Sequence, residues 1–161
     1  MDLLIKSPVE YEPLRNNRFL LRFPSDLGIQ EWWVQDCGRP KLKQGNTKIE
    51  FLNTSNYVLG RYEWDPINIT LREPIGPSAT QAVMEWVRLG TESVTGRQGY
   101  AVSYKRDLIL EQLDPTGTAV SQWIIKNAML TDVNFSDMKY SDDGLATVSI
   151  TIQPQYCILS F

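Results

Sequence analysis

The closing segment of the chain constrains its fold most strongly. From residue 146 to residue 153, apolar side chains occupy every second position and hydroxyl or amide side chains fill the positions between them. This period of two predicts a half-buried β-strand rather than a helix. Residues 141–144, which contain Asp-Gly, separate it from a second alternating run that carries Val133 and Phe135. Asp-Gly between alternating runs favours a hairpin, so we expect two paired strands here.

Further stretches of the chain show the same alternation or a hairpin pattern. In one of them the neighbouring Trp32 and Trp33 would lie on opposite faces of a strand, so one of them is expected in an interface. The predicted strands are residues 17–23, 30–36, 48–52 and 67–71, with a hairpin formed by 103–113 and 118–126 around Pro115.

A single helix is predicted after the strand at 67–71. Ser78 with Gln81 three residues later forms a capping box, and Gly90 is suited to a left-handed stop. Between them, Val83, Trp86 and Val87 follow the spacing of one buried stripe. A helix of this length with one apolar face is expected to pack against a sheet.

These elements predict one mainly β domain over residues 1–161, an antiparallel β-sandwich or barrel with a single flanking α-helix. A chain of 161 residues is long enough to bury a substantial core. Residues 1–16, with Pro8 and Pro13, have the composition of an extended arm. Residues 38–47 are rich in Gly, Lys, Pro and Asn and predict a polar loop, so that 38–60 forms a long loop region.

The composition argues against catalysis and against tight binding of nucleic acid. The chain has no histidine, the commonest general base and metal ligand, and it has no Gly-rich phosphate loop. Asp142 and Asp143 form an acidic pair, but a turn accounts for them better than a catalytic role does. Cys37 and Cys157 are interpreted as small core residues in preference to a disulfide. The net charge is −3, whereas a phosphate-binding surface needs clustered Lys and Arg. We therefore predict no enzyme activity, no cofactor and no metal site.

Two features keep alternative readings open. Lys41, Lys43 and Lys48 could bind an acidic surface of a partner, but a run of charged residues more often forms a solvent-exposed face. The five tryptophans could stack on sugars or single-stranded nucleic acid, but core and interface anchors explain most of them more simply. The chain shows no membrane-spanning run and no secretory pattern, so we expect folding in a cytosol without membrane insertion.

The order of these elements resembles the tail tube protein of contractile-tailed bacteriophages, a family related to the type VI secretion tube protein. The likeness covers nearly the whole chain, and its most specific parts are the passage from Gly60 to Asp65 into the 67–71 strand, the helix with its central Trp86, and the closing hairpin. It also includes residues 15–19, Trp33-Val34-Gln35, Pro40 and the segment 57–64.

The resemblance implies a structural, non-enzymatic virion protein. In this family, six subunits form a ring whose strands join into one barrel around a lumen, and stacked rings form the inner tube of the contractile tail. The implied partners are further copies of the chain, the tail sheath, the baseplate and the tail terminator, with double-stranded DNA passing through during ejection. Assembly would take place in the host cytoplasm. Six copies would carry a charge of about −18, which discourages adhesion of passing phosphate.

The arm 1–16 and the region 38–60 are expected to reach adjacent subunits. The candidate inter-subunit contacts are Tyr11, Trp33, Lys41, Lys43, Phe51, Tyr57, Arg61 and Phe161. The apolar end at 156–161 is expected to dock against a neighbour or to mark a specialised paralogue. The alternatives are a tube-fold baseplate, initiator or terminator component and, from a different class, a monomeric β-sandwich that binds a ligand through exposed tryptophans.

Overall fold

The computed structural model describes residues 12–161, which form nine strands and one long helix. Short 3₁₀ turns at Ser25–Leu27 and Glu31–Trp33 and a four-residue helix complete the regular structure. The strands are β1 (Phe19–Arg22), β2 (Val34–Cys37), β3 (Leu42–Phe51), β4 (Thr54–Trp64), β5 (Ile67–Arg72), β6 (Arg106–Leu113), β7 (Ala119–Phe135), β8 (Thr147–Gln153) and β9 (Tyr156–Leu159), and the helices are α1 (Ala79–Gly90) and α2 (Ala101–Tyr104).

Two four-stranded antiparallel sheets share the long strand β7. Sheet A has the order β1-β6-β7-β9, and sheet B has the order β2-β5-β8-β7. The apolar sides of both sheets meet in one core, to which sheet A contributes Leu110 and Ile125 and sheet B contributes Ile69 and Ile150. The predicted mainly β fold with one main helix is therefore confirmed. Within residues 12–161 of a single chain, the sheets do not close into a barrel.

Strand β7 changes sheets at Asn127, whose backbone adopts a positive φ of 52°. Its first part pairs with β6 as far as Ala128, and its second part pairs with β8 from Met129 onward. Asp107 holds this corner: its carboxylate accepts the N–H of Asn127 at 2.9 Å and contacts the Lys126 ammonium at 3.2 Å. The backbone hydrogen bond from Asn127, followed by the interaction with Lys126, lowers the pKa of Asp107.

Helix α1 begins and packs as its sequence indicates. The Ser78 hydroxyl accepts the N–H of Gln81 and caps the helix. Trp86 is buried in the core, where its indole N–H donates to the carbonyl of Tyr104 at 2.8 Å and its ring meets Phe23 edge to face. The predicted left-handed stop at Gly90 is wrong. Gly90 is the last helical residue and has no positive φ, and the helix ends at Thr91, whose backbone is extended.

Two other local predictions are wrong. Residues 38–47 are largely not a loop, because β3 begins at Leu42 and pairs with β4 in a long two-stranded hairpin. Residues 30–36 are not one strand, because a 3₁₀ turn at Glu31–Trp33 precedes β2. The chain end is ordered within its own subunit, because β9 pairs with β7 and Ser160 donates its N–H to the carbonyl of Gln122. Its docking on a neighbour stays a prediction.

Candidate assembly surfaces

Sheet B exposes an unpaired edge along the second part of β7. Strands β8 and β9, joined by only two residues, both lie on one side of β7, and β6 lies on the other side. Because β6 begins opposite Ala128, no strand within residues 12–161 faces 129–135 on that side. The N–H of Ser136 points towards β8, where it donates to Thr147. The backbone N–H and C=O groups of successive strand residues point alternately to the two neighbouring strands. Those of Val133 and Phe135 therefore point to the open side.

The opposite edge of sheet B is β2, which pairs with β5 and with no other strand of the described chain. Gly38 donates its N–H to Asn68 of β5, so the backbone groups of Cys37 point away from the sheet. All four strands alternate in direction, which makes β2 and β7 antiparallel to each other. In a ring of identically oriented copies, β2 of one copy would therefore run antiparallel to β7 of the next.

The outer face of sheet B is polar and carries few charges. Rows of paired residues such as Asp36, Thr70, Ser149 and Asn134 cross the sheet on this face, opposite to the buried row that contains Ile69. The other members include the hydroxyl, amide or charged residues Asn68, Arg72, Asp132, Thr147, Thr151 and Gln153, and the apolar Met129, which pairs with Gln153. This face carries one arginine and two aspartates, so basic residues do not dominate it.

A groove of about 530 Å³ runs between α1 and the open edge of β7. Its apolar lining comes from both sides, with Met84 and Val87 on the helix and Leu130, Val133 and Phe135 on the strand. Phe135 remains 39% exposed although its side chain points to the apolar side of the sheet. The groove and the strand edge together form a surface on which apolar groups and backbone hydrogen-bonding groups both lack partners within residues 12–161.

The β3–β4 hairpin projects from the sandwich, and its side chains are exposed almost throughout. Few contacts join it to the rest of the chain, although Lys43 lies 3.5 Å from Asp65 at its base. Phe51 at the tip is 72% exposed and the next residue, Leu52, is 88% exposed. A two-stranded hairpin with no sheet or helix behind it is marginally stable in water, so this one is expected to gain stability from a partner.

The two cysteines are free thiols. Burial raises the pKa of Cys37 to about 12, with Asp36 contributing, and burial raises the pKa of Cys157 to about 11. Both thiols are therefore poor nucleophiles near neutral pH. Across residues 12–161 no cluster of His, Cys, Asp and Glu could hold a metal ion, and no helix is long and apolar enough to cross a membrane.

Solved structures resemble the chain along nearly all of its length. The cap that terminates the tube of the anti-feeding prophage matches with a TM-score of 0.75 and 15% identity over 99% of each chain. The sheath–tube complex of the extracellular contractile injection system PVC matches with a TM-score of 0.73 and 16% identity, over 94% of this chain and 93% of that chain. The SPP1 tail tube matches with a TM-score of 0.53 and 11% identity, over 91% and 78%. The chain has the tail tube fold.

No protein-family model matches the sequence, and no curated protein matches it. The resemblance predicted from the order of the elements is confirmed at the level of the tail tube fold. The similar structures are parts of tubes and of a tube cap, and none of those quoted is described as an enzyme.

Four of the eight predicted contact residues lie on one element, and a fifth lies directly before it. Lys43, Phe51, Tyr57 and Arg61 lie exposed on the β3–β4 hairpin, and Lys41 lies exposed just before it. Their role as inter-subunit contacts stays a prediction. The sequence predicts a loop at 38–47 because these residues are rich in Gly, Lys, Pro and Asn, and the alternation of Ile49 and Phe51 predicts only the short strand 48–52.

The other predicted contacts are separated from this hairpin. Trp33 is 0% exposed in the core, so its assignment as an inter-subunit contact is corrected; its neighbour Trp32, 62% exposed, is the outward tryptophan. Phe161 is 58% exposed and its carbonyl accepts the N–H of Gln122, so its ring remains available. Tyr11 lies outside the described residues. Sequence reasoning missed the β7 edge because strand length alone does not show which pairings a strand makes.

Proposed function

We propose that this chain is a structural subunit that closes into a ring through the two free edges of sheet B and stacks into a hollow tube. The observation that carries the proposal is that one four-stranded sheet ends in two mutually antiparallel edges, β2 and β7, which have no partner strand within residues 12–161. Joining them copy to copy would pair both free edges of sheet B in every copy. Six copies are expected, in line with the resemblance to tail tubes.

In this ring the polar outer face of sheet B lines the bore. Its hydroxyl and amide groups, with Arg72 set against Asp36 and Asp132, present a wettable surface with little net charge. Such a lining offers no cationic track to hold a polyanion. We therefore propose a conduit for DNA ejection inside a contractile tail, assembled in the host cytoplasm and surrounded by a sheath and joined to a baseplate and terminator.

The β3–β4 hairpin would form the contact between stacked rings. It extends from the sandwich, carries exposed apolar groups at its tip and has little support within its own subunit. Burying Phe51 and Leu52 against a neighbouring copy would supply both the apolar contact and the order that the isolated hairpin lacks. Lys41, Lys43, Tyr57 and Arg61 would take part in the same contact, as would the arm 1–16.

A unique cap at the end of a tube is the second candidate. It is favoured by the match to the tube-terminating cap of the anti-feeding prophage, which covers 99% of each chain. A cap would form a ring through the same edges but would not stack indefinitely. Rings that never lengthen in the purified protein would favour the cap, whereas long tubes would favour the repeating subunit.

The edge-to-edge joint is tested by a charge placed at the open edge. Phe135→Lys puts an ammonium among groups that the joint would bury, while the 39% exposure of Phe135 lets the lysine reach water in a single subunit. We expect Phe135→Lys to remain folded by circular dichroism and to stay monomeric by mass photometry. The matched variant Phe135→Leu should form rings as the wild type does. Rings formed equally well by Phe135→Lys would overturn the proposed joint.

A further inference from the structure

Trp32 is an exposed tryptophan that is held in place by the core. Its ring meets Trp33 edge to face with 6.0 Å between the ring centres, and Trp33 is fully buried. Trp32 itself is 62% exposed. A large, preorganised aromatic ring facing outward loses little conformational entropy on burial and is typical of residues that anchor protein interfaces.

The groove between α1 and β7 has the shape and chemistry to receive such a ring. Its volume of about 530 Å³ is ample for an indole. Two methionines, Met84 and Met129, line it together with Val87 and Val133. Methionine side chains adapt to irregular partners and make favourable contacts with aromatic rings.

The topology of the sheet relates this side chain to this groove. Trp32 lies two residues before β2, and the groove flanks the open edge of β7. These are the opposite edges of sheet B, with β5 and β8 between them. Pairing β2 of one copy with β7 of the next would bring the start of β2 to the edge that borders the groove.

We propose that Trp32 of one subunit inserts into the α1–β7 groove of the next and anchors the lateral joint of the ring. The inference rests on the proposed ring and adds to it a specific contact between two copies of this chain. The anchor would cover Phe135 and Val133, whose apolar side chains border the groove. It would also fix which edges meet, because in residues 12–161 Trp32 lies at the β2 edge and the α1–β7 groove lies at the opposite edge.

Site-specific photo-crosslinking tests the contact directly. Benzoylphenylalanine placed at position 32 of the assembled full chain should cross-link between subunits, with attachment sites in 84–91 or 129–135. Intersubunit cross-links that map to the hairpin residues 42–64 or to residues 1–11, or no intersubunit cross-links, would overturn the anchor.

Variants separate the anchor from the ring itself. Trp32→Ala should raise the concentration needed for ring formation about tenfold or more, and Trp32→Phe should restore most of the loss. Val120→Ala, which removes a 47% exposed side chain from β7 in sheet A, is the control and should leave that concentration unchanged. If Trp32→Ala leaves the concentration needed for ring formation unchanged, the anchor is refuted but the proposed ring is not. Assembly by Phe135→Lys would instead refute the joint on which the anchor depends.

Discussion

Truncating Phe51 should weaken assembly without weakening the subunit. The side chain is 72% exposed at the tip of the β3–β4 hairpin, so it contributes little to the fold of a single copy. Complete burial of a phenylalanine stabilises by about 1.5–3 kcal/mol, and the exposed share of that, about 1–2 kcal/mol, is available only to a contact with another copy. Phe51→Ala should therefore raise the concentration at which rings stack into tubes by about 5–30-fold.

The assay is a dilution series followed by sedimentation velocity, with the tube fraction measured at each concentration. Thermal unfolding of dilute, unassembled protein should show Phe51→Ala within about 0.5 kcal/mol of the wild type, as expected for a surface substitution. Val94→Ala is the matched control, because Val94 is 92% exposed on the loop that follows α1. An unchanged stacking threshold for Phe51→Ala would refute the assignment of the hairpin tip to the inter-ring contact. A large loss of subunit stability would refute the view that the tip is independent of the fold.

Three further predictions concern the forces that shape the subunit. Trp86→Ala should destabilise the chain by about 3–5 kcal/mol in chemical denaturation and Trp86→Phe by clearly less, because phenylalanine keeps much of the aromatic packing although it loses part of the ring and the hydrogen bond to Tyr104; equal losses would contradict this. Glu73 accepts hydrogen bonds from Ser78 and Thr80 at the start of α1, so Glu73→Ala should cost about 1 kcal/mol in the same assay and Glu73→Gln less; a neutral Glu73→Ala would exclude the capping role. The pKa of Asp107 is lowered in the folded state, so its contribution is present above the unfolded pKa of about 4 and is lost as pH falls through the folded value. The melting temperature of Asp107→Asn should therefore lie below that of the wild type at pH 7 and converge with it towards pH 3, and a constant difference would contradict the assignment.

The strands and the helix were predictable where local chemistry decides them. Alternation at Val148, Ile150 and Ile152 gave the correct buried face of β8, and the capping box at Ser78 gave the correct start of α1. In both cases one side of the element is buried against the core of the same chain. A single buried face imposes a clear period on the sequence, which is the signal that sequence reasoning reads.

The errors arose where the chain's surroundings decide the structure. Both faces of the β3–β4 hairpin are exposed in the single chain, so its sequence has no clean period and predicts only the short strand 48–52 within a long loop region. The prediction that Trp32 and Trp33 have different surroundings is correct. However, these residues lie in a 3₁₀ turn and not in a strand, and it is Trp33 that is buried and Trp32 that is exposed. The open edge of β7 depends on where β6 begins, which is a property of the pairing between strands distant in sequence.

The most direct test of the ring is electron microscopy of the purified chain over a concentration series, extended to a cryo-EM map of any assembly that forms. We predict hollow rings or tubes in which β2 of each copy pairs with β7 of the next and the polar face of sheet B lines the bore. Uniform monomers at every concentration, or rings with sheet A towards the bore, would contradict it.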